Sequence, residues 1–142
     1  MKENETRRLT GVLCRRLFGR APDSVTLCTV GMVNTVYIAE LGGERYVVRL
    51  NGENGVYSES ARLLGKAGEL GLPVPRVIGS GCEEGYEYIV ISFIPGKDLG
   101  LVYHELTREN KRDIAAGLVK IQQLAAGLPE RERGGRWYDR KE

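Results

Sequence analysis

The chain has 142 residues, of which 42% are hydrophobic and 28% are charged, a composition typical of a folded domain and not of a disordered chain. Its 21 basic and 19 acidic side chains leave a net charge of +2, too small to indicate DNA, RNA or an anionic membrane as a partner. The three cysteines form neither a disulfide framework nor a CxxC metal pair. No segment has the roughly 20 apolar residues of a membrane span or the apolar core of a signal peptide, so we expect a cytoplasmic protein.

The predicted elements alternate between helices and strands along the chain. Apolar side chains at helical spacing predict three helices, over residues 4–18, 56–70 and 107–126. Runs rich in β-branched and aromatic residues predict five strands, at Val25–Val30, Thr35–Leu41, Arg45–Leu50, Arg76–Ser80 and Tyr86–Phe93. Short glycine-bearing turns at 42–44 and 83–85 are typical of hairpins. This order predicts an α+β fold, in which a five-stranded antiparallel sheet carries a packed helix and is flanked by N- and C-terminal helices.

An acid and a base in neighbouring elements form the first candidate site. Alternation in the strand Arg45–Leu50 places Tyr46, Val48 and Leu50 on one face and Arg45, Val47 and Arg49 on the other. Arg49 is a charge inside the otherwise apolar run 46–50. The i, i+4 spacing puts Glu59 and Leu63 on one side of the next helix, at the edge of the stripe that faces the sheet, where an unpaired carboxylate is costly. Arg49 and Glu59 could therefore pair. The alternative left open is that both are solvated and that Glu59 pairs locally with Arg62.

Two backbone features could bind a nucleotide. The turn Gly31–Asn34 joins two strands, and a turn with Gly and Asn at its tip can lay backbone N–H groups over phosphates. The apolar run before Pro95 and Gly96 is a strand that stops sharply, and backbone groups at such an end suit the edge of a flat ligand such as adenine. Each feature alone would look the same in an ordinary hairpin turn or strand end, so both interpretations remain open.

Taken in order, these segments resemble the N-terminal lobe of the aminoglycoside phosphotransferase and choline kinase family, which has a protein-kinase-like fold. The segments that carry the resemblance are Gly31–Tyr37, Tyr46–Leu50, Glu59, Gly71–Val77 and Phe93–Leu99. The most specific parts are Gly-Leu-Pro-Val-Pro-Arg-Val and Ile-Pro-Gly, about twenty residues apart. The resemblance covers roughly residues 10–128.

The resemblance implies ATP-dependent phosphoryl transfer to a hydroxyl of a small molecule. Arg49 would contact the α- and β-phosphates, and Glu59 would hold it in place. Backbone groups around Ser92 and Ile94 would meet the adenine edge. The residues that would cover the phosphates are Gly31, Met32, Val33 and Asn34. Two details depart from many kinases: the cation is Arg and not Lys, and the phosphate turn has one glycine.

The resemblance also implies how the chain divides into parts, and it implies a catalytic loop that this sequence does not contain. The expected parts are a nucleotide-binding N-lobe at 1–96, an inter-lobe linker with the first helix of a C-lobe at 97–128, and a charged tail at 129–142. The family's catalytic loop is His-x-Asp followed by Asn, but the only histidine is His104 and it is followed two residues later by Leu106. We therefore assign no catalytic or metal-binding residue, expect Mg²⁺ only with the missing lobe, and expect a truncated chain that is inactive alone.

Two other interpretations are kept. The chain could be a standalone nucleotide-binding or regulatory module, or a small β-rich domain that binds a protein through its hairpins. The expected partners are a nucleotide and, in the complete enzyme, a small-molecule hydroxyl acceptor whose identity the sequence does not give. Part of the apolar stripe on the helix at 107–126 is expected to face solvent and to promote self-association.

Overall fold

The structure is a computed structural model that describes residues 3–30, 34–53 and 55–128. Its elements, in chain order, are α1 (Glu3–Phe18), β1 (Ser24–Val30), β2 (Asn34–Leu41), β3 (Glu44–Asn51), α2 (Tyr57–Glu69), β4 (Val77–Glu83), β5 (Tyr86–Ser92), α3 (Leu99–Val102), a 3₁₀ turn (Tyr103–Glu105) and α4 (Arg108–Ala125). The predicted α+β class, with a five-stranded antiparallel sheet and the three predicted helices, is confirmed. The short α3 and the 3₁₀ turn were not predicted.

The strands form one antiparallel sheet in the order β1-β2-β3-β5-β4. Three of the four contacts are hairpins between consecutive strands, and the β3–β5 contact brings together strands on either side of α2. Two hairpins turn tightly at positive φ, at Gly42 and Gly43 between β2 and β3 and at Glu84 and Gly85 between β4 and β5. Positive φ at two central residues matches the twist of the flanking strands and is easiest for glycine. The two predicted hairpin turns are thereby confirmed.

The two faces of the sheet are covered by different helices. The α1 face is made of side chains that pack against α1, and its largest fully buried members include Tyr37, Leu50, Val48 and Val90. The opposite α2 face carries a smaller buried cluster formed by Tyr57 of α2 with Ile89 and Ile91 of β5. Strand alternation produces this division, because neighbouring residues point to opposite faces. The large core therefore lies on one side of the sheet, and the side under α2 is only partly filled.

The N-terminal helix is held to the sheet by its apolar stripe and by ion pairs at its edge. Leu9 and Leu13 are fully buried on the α1 face, as the helical spacing predicts. Arg8 bonds Glu84 at 2.7 Å, which joins the helix to the β4–β5 hairpin. Both of these side chains are largely exposed, so the pair contributes little and packing provides most of the attachment.

The described residues divide into two compact units, one within Met1–Gly65 and Pro75–Phe93 and the other within Lys66–Val74 and Ile94–Glu142. In the second unit, the Thr107 side chain caps α4 by accepting the backbone N–H of Asn110 at 3.1 Å. The Asn110 side chain in turn accepts the backbone N–H of Thr107. No residue of α4 is buried, and Leu118 is 54% exposed. The predicted tail at 129–142 lies outside the described residues. Within the part of the chain that the structure covers, no helix is long and apolar enough to cross a membrane.

Candidate functional site

The candidate site lies on the α2 face of the sheet. Residues paired across antiparallel strands point to the same face, so the register sets out the surface in rows. Arg49 of β3 pairs with Val36 of β2 and with Ile89 of β5, which forms one row across three strands. The next row consists of Ile38, Val47 and Ile91. The Arg49 side chain is exposed, so the row places a cation on an otherwise apolar surface.

An open cavity of about 330 Å³ lies between this surface and α2. Its wall is mostly apolar and contains the side chains of Leu63, Leu64, Pro75, Ile89 and Ile91, together with Arg49, Tyr57 and Ser60. Ligand sites commonly combine apolar walls with a few polar groups that fix orientation. A cavity with one cation on such a wall suits a ligand that has a flat apolar part and an anionic part.

The stripe of α2 that packs on the sheet differs from the one expected from sequence. Tyr57, Ala61 and Leu64, at i, i+4 and i+7, pack in the cluster on the α2 face. The expectation that Glu59 and Leu63 mark the sheet-facing edge is wrong for Glu59, whose side chain is 66% exposed. Leu63 is half-buried and lines the cavity under α2, so the expectation fails at the charged member of the stripe and not at its apolar part.

Glu59 forms an ion pair with Arg62, three residues further along α2. This is the local alternative that the sequence left open. Among the described residues, the structure shows no ion pair between Glu59 and Arg49. A pair at i, i+3 between exposed side chains contributes at most about 1 kcal/mol, so it holds Glu59 only weakly. The pairing of Glu59 with Arg49 stays a prediction.

The start of α2 is bound by a side chain that the sequence analysis did not single out. Glu87 of β5 is buried, with 4% of its surface exposed. Its carboxylate accepts the backbone N–H groups of Gly55, Val56 at 3.2 Å, Tyr57 and Ser58 at 2.9 Å. The first N–H groups of a helix have no partner within the helix and form its positive end. Glu87 therefore fixes the N-terminus of α2 to the sheet.

The charge state of Glu87 follows from this contact. Burial alone would raise the pKa of Glu87, but the four backbone N–H donors outweigh it and hold the pKa below its ordinary value. The side chain is therefore ionised at neutral pH. A sequence signal does exist, because alternation in β5 places Glu87 on the same face as the buried Ile89 and Ile91. A carboxylate in that position must have donors.

The predicted phosphate-covering turn is described in part. The β1 and β2 strands pair antiparallel as far as Val30 and Thr35, which confirms the two predicted strands on either side of residues 31–33. Asn34 is the first residue of β2 and is exposed. Gly31, Met32 and Val33 lie outside the described residues. Their contact with phosphates stays a prediction.

The predicted adenine edge lies at the end of β5. Ser92 closes the strand: its N–H donates to the Arg76 carbonyl at 2.9 Å, and its Oγ accepts the Arg76 N–H at 2.8 Å. The N–H of Phe93 donates to the Arg45 carbonyl at 3.2 Å, so the strand end is held from both sides. Ile94 begins the second segment of the second unit, and it is 57% exposed. The roles of Ser92 and Ile94 toward adenine stay predictions.

Comparison with known proteins decides the family. Residues 24–142 match the sequence profile of the phosphotransferase enzyme family. This chain belongs to that family. A comparison of this phosphotransferase-family chain with curated protein sequences gave no match.

Solved structures agree with this assignment at the level of the fold. One similar structure is a thermostable mutant of aminoglycoside phosphotransferase APH(4)-Ia, in ternary complex with ADP and hygromycin B. Its TM-score is 0.64 and its sequence identity is 17%. The match covers 84% of this chain and 39% of the APH(4)-Ia chain. The streptomycin–ATP–APH(2″)-IIa ternary complex is similar with a TM-score of 0.60 and 13% sequence identity. The match covers 91% of this chain and 41% of the APH(2″)-IIa chain. A fructosamine-3-kinase homologue from Haemophilus somnus 129PT has a TM-score of 0.52 and 15% sequence identity. The match covers 63% of this chain and 32% of the homologue.

These likenesses confirm the predicted protein-kinase-like fold and the resemblance on which it rested. The chain spans about two-fifths of the length of the aminoglycoside phosphotransferases that it matches. In the part that the structure describes, no three His, Cys, Asp or Glu side chains group into a metal site.

Proposed function

We propose that this chain binds ATP on the α2 face of its sheet, as the nucleotide-holding part of a phosphotransferase that transfers the γ-phosphate to a hydroxyl of a small molecule. The observation that carries the proposal is Arg49, an exposed cation in an apolar row beside an open cavity. Family membership and the solved structures of phosphotransferases with ADP or ATP support it. The cytoplasmic location stays a prediction of the sequence.

The proposed arrangement follows the strands. Val36, Ile38 and Val47 are partly exposed on the α2 face and offer a flat apolar surface for adenine, close to where β5 ends at Ser92. Arg49 lies two residues further along β3 than Val47, about 7 Å away on the same face, toward the phosphate turn. The adenine and the phosphates would thus lie along β3 in the order in which they occur in ATP.

The chain's own residues would act by holding and neutralising the nucleotide. Arg49 presents a planar guanidinium that can donate two parallel hydrogen bonds to one phosphate. Phosphoryl transfer depends mainly on positioning and on electrostatic stabilisation, so this contact would contribute to catalysis as well as to binding. Mg²⁺ accompanies ATP in such reactions, but the described residues do not provide a set of ligands for it.

The test is titration calorimetry of the chain with ATP and with adenosine. We expect Arg49→Ala to weaken ATP binding by about tenfold to a hundredfold, the effect of losing a charge-assisted contact, and to leave adenosine binding unchanged. Arg8→Ala removes the same charge from an exposed pair on the other side of the sheet and should change neither affinity. A wild-type chain that binds no ATP, or an Arg49→Ala variant that binds ATP equally well, would refute the proposal.

The proposed role of Glu59 has a separate test. If Glu59 releases Arg62 and holds Arg49 when nucleotide is bound, Glu59→Ala should weaken ATP binding by about 1–3 kcal/mol. Arg62→Ala removes the observed partner and should not weaken binding. A nucleotide-bound crystal structure in which Arg49 and Glu59 point apart into solvent would contradict the pair.

A further inference from the structure

A polar network links the end of the phosphate turn to the start of α2. The hydroxyl of Tyr57 donates to Oδ1 of Asn34 at 2.9 Å, and Nδ2 of Asn51 donates to the same oxygen at 2.6 Å. Asn51 is 2% exposed and Tyr57 is 7% exposed, whereas Asn34 is exposed. Two buried donors therefore hold one surface carboxamide by its oxygen.

The direction of each bond in this network is fixed by a backbone group. The N–H of Glu53 can only donate, and it donates to Asn51 at 2.6 Å, so the atom of Asn51 that faces it must be the oxygen. The Nδ2 group of Asn51 then faces Asn34, which must present its own oxygen in return. The consequence is that the Asn34 Nδ2 group is turned away from the network. It has no acceptor among the described residues.

Asn34 and Arg49 lie on the same face of the sheet. Asn34 pairs in register with Asn51, and Arg49 is two residues before Asn51 on β3. Diagonal neighbours of this kind are about 7–8 Å apart, within reach of an Arg side chain. The amide of Asn34 and the guanidinium of Arg49 are both donors on one surface next to the phosphate turn, which is an arrangement that suits an anion with several oxygens.

Tyr57 is itself held from two sides. Its backbone N–H donates to the buried Glu87 carboxylate, and its ring packs with Ile89 and Ile91. Burial raises the pKa of Tyr57, and the positive charge of Arg49 only partly offsets this, so the hydroxyl keeps its proton and stays a donor at neutral pH. A residue fixed in this way can orient Asn34 without moving itself.

We propose that Tyr57 is a positioning residue, which orients Asn34 so that the Asn34 amide donates to a nucleotide phosphate beside Arg49. This inference rests on the proposed ATP-binding function. In addition to the backbone groups of the turn, the side chain of Asn34 would then contact a phosphate. Tyr57, the first residue of α2, would have a role in the site.

The experiment compares ATP with adenosine binding in the 142-residue chain, with thermal unfolding followed by circular dichroism as a measure of stability. Asn34→Asp keeps an oxygen for both donors but replaces the outward amide with a negative oxygen. Tyr57→Phe removes only the orienting hydroxyl. Tyr46→Phe is the matched control, because its hydroxyl bonds Glu44 at 2.7 Å and its ring packs in the cluster on the opposite α1 face.

We expect Asn34→Asp to weaken ATP binding at least tenfold and Tyr57→Phe to weaken it about threefold to tenfold, with adenosine affinity unchanged in both. Tyr46→Phe should change neither affinity. If Tyr57→Phe weakens ATP and adenosine equally, or has no effect while Arg49→Ala still weakens ATP, the positioning role is wrong and the proposed function stands. If the wild-type chain binds no ATP, both are wrong.

Discussion

Glu87→Gln is the substitution that most directly tests how α2 is attached to the sheet. The change keeps the size of the side chain but removes the charge that four backbone N–H groups share. A helix cap contributes about 0.5–2 kcal/mol, and a charge at a partly buried helix end contributes up to about 2 kcal/mol. We therefore expect the start of α2 to lose about 2–4 kcal/mol of local stability, a large share of the roughly 5–15 kcal/mol of a typical domain.

The assay is amide hydrogen exchange by mass spectrometry, because exchange reports the stability of each segment separately. A loss of about 2–4 kcal/mol corresponds to a fall of roughly 30- to 1,000-fold in the protection of residues 57–65. Amides of β2 and β3 should be affected much less. Glu84→Gln is the matched control: it removes an exposed carboxylate of the neighbouring hairpin turn, which is bonded to Arg8.

The effect should also depend on pH. Because the pKa of Glu87 in the folded protein is lowered, its contribution is present above the ordinary glutamate pKa of 4.5 and is lost as the pH falls through the lower folded value. The difference in amide protection between wild type and Glu87→Gln should thus have its full size at pH 7 and disappear in strong acid. Protection that falls less than threefold at pH 7, or equally in Glu84→Gln, would refute the reasoning.

Three further outcomes are expected. The chain alone should not phosphorylate kanamycin, choline or homoserine with ATP and Mg²⁺, since its sequence lacks a His-x-Asp loop; turnover that depends on Arg49 would contradict this. Leu118→Lys should reduce self-association in light scattering with an unchanged far-UV circular dichroism spectrum, because Leu118 is exposed; loss of the whole spectrum would show that it belongs to a core. Alkylation at pH 8 should label the exposed Cys28 and Cys82 but spare buried Cys14, whose pKa is raised to about 11; native labelling of all three would be the opposite result.

The sequence was sufficient to predict the secondary structure because the patterns are long and local. Alternation in β3 correctly separated the buried Tyr46, Val48 and Leu50 from Val47 and Arg49. The helix predicted at 107–126 corresponds to α4, which Thr107 caps. The short helix α3 was missed because four residues are too few to show a helical period. Its cap is Asp98, whose side chain accepts the Gly100 N–H.

The candidate site was harder to predict because its decisive contacts join distant residues. Alternation in β5 puts Glu87 on the face of the buried Ile89 and Ile91, but only the folded chain shows that it lies beside the residues that precede and begin α2. The face of α2 could not be chosen from spacing alone, so Glu59 was wrongly placed at its sheet-facing edge. The network around Asn34 depends on Tyr57, which the sequence shows only as a residue near a helix start.

The strand order has a consequence for how the first unit folds. The β1–β2, β2–β3 and β4–β5 pairs join neighbouring strands and can form as local hairpins, whereas β3 and β5 are separated by α2 and β4. Contacts between distant parts of the chain are slow to form, because a long loop must close before any bond rewards it. Glu87 lies opposite Asn51 in this late pairing. The carboxylate binds the start of α2 in the same arrangement that pairs β3 with β5, so we expect attachment of the helix to accompany closure of the sheet.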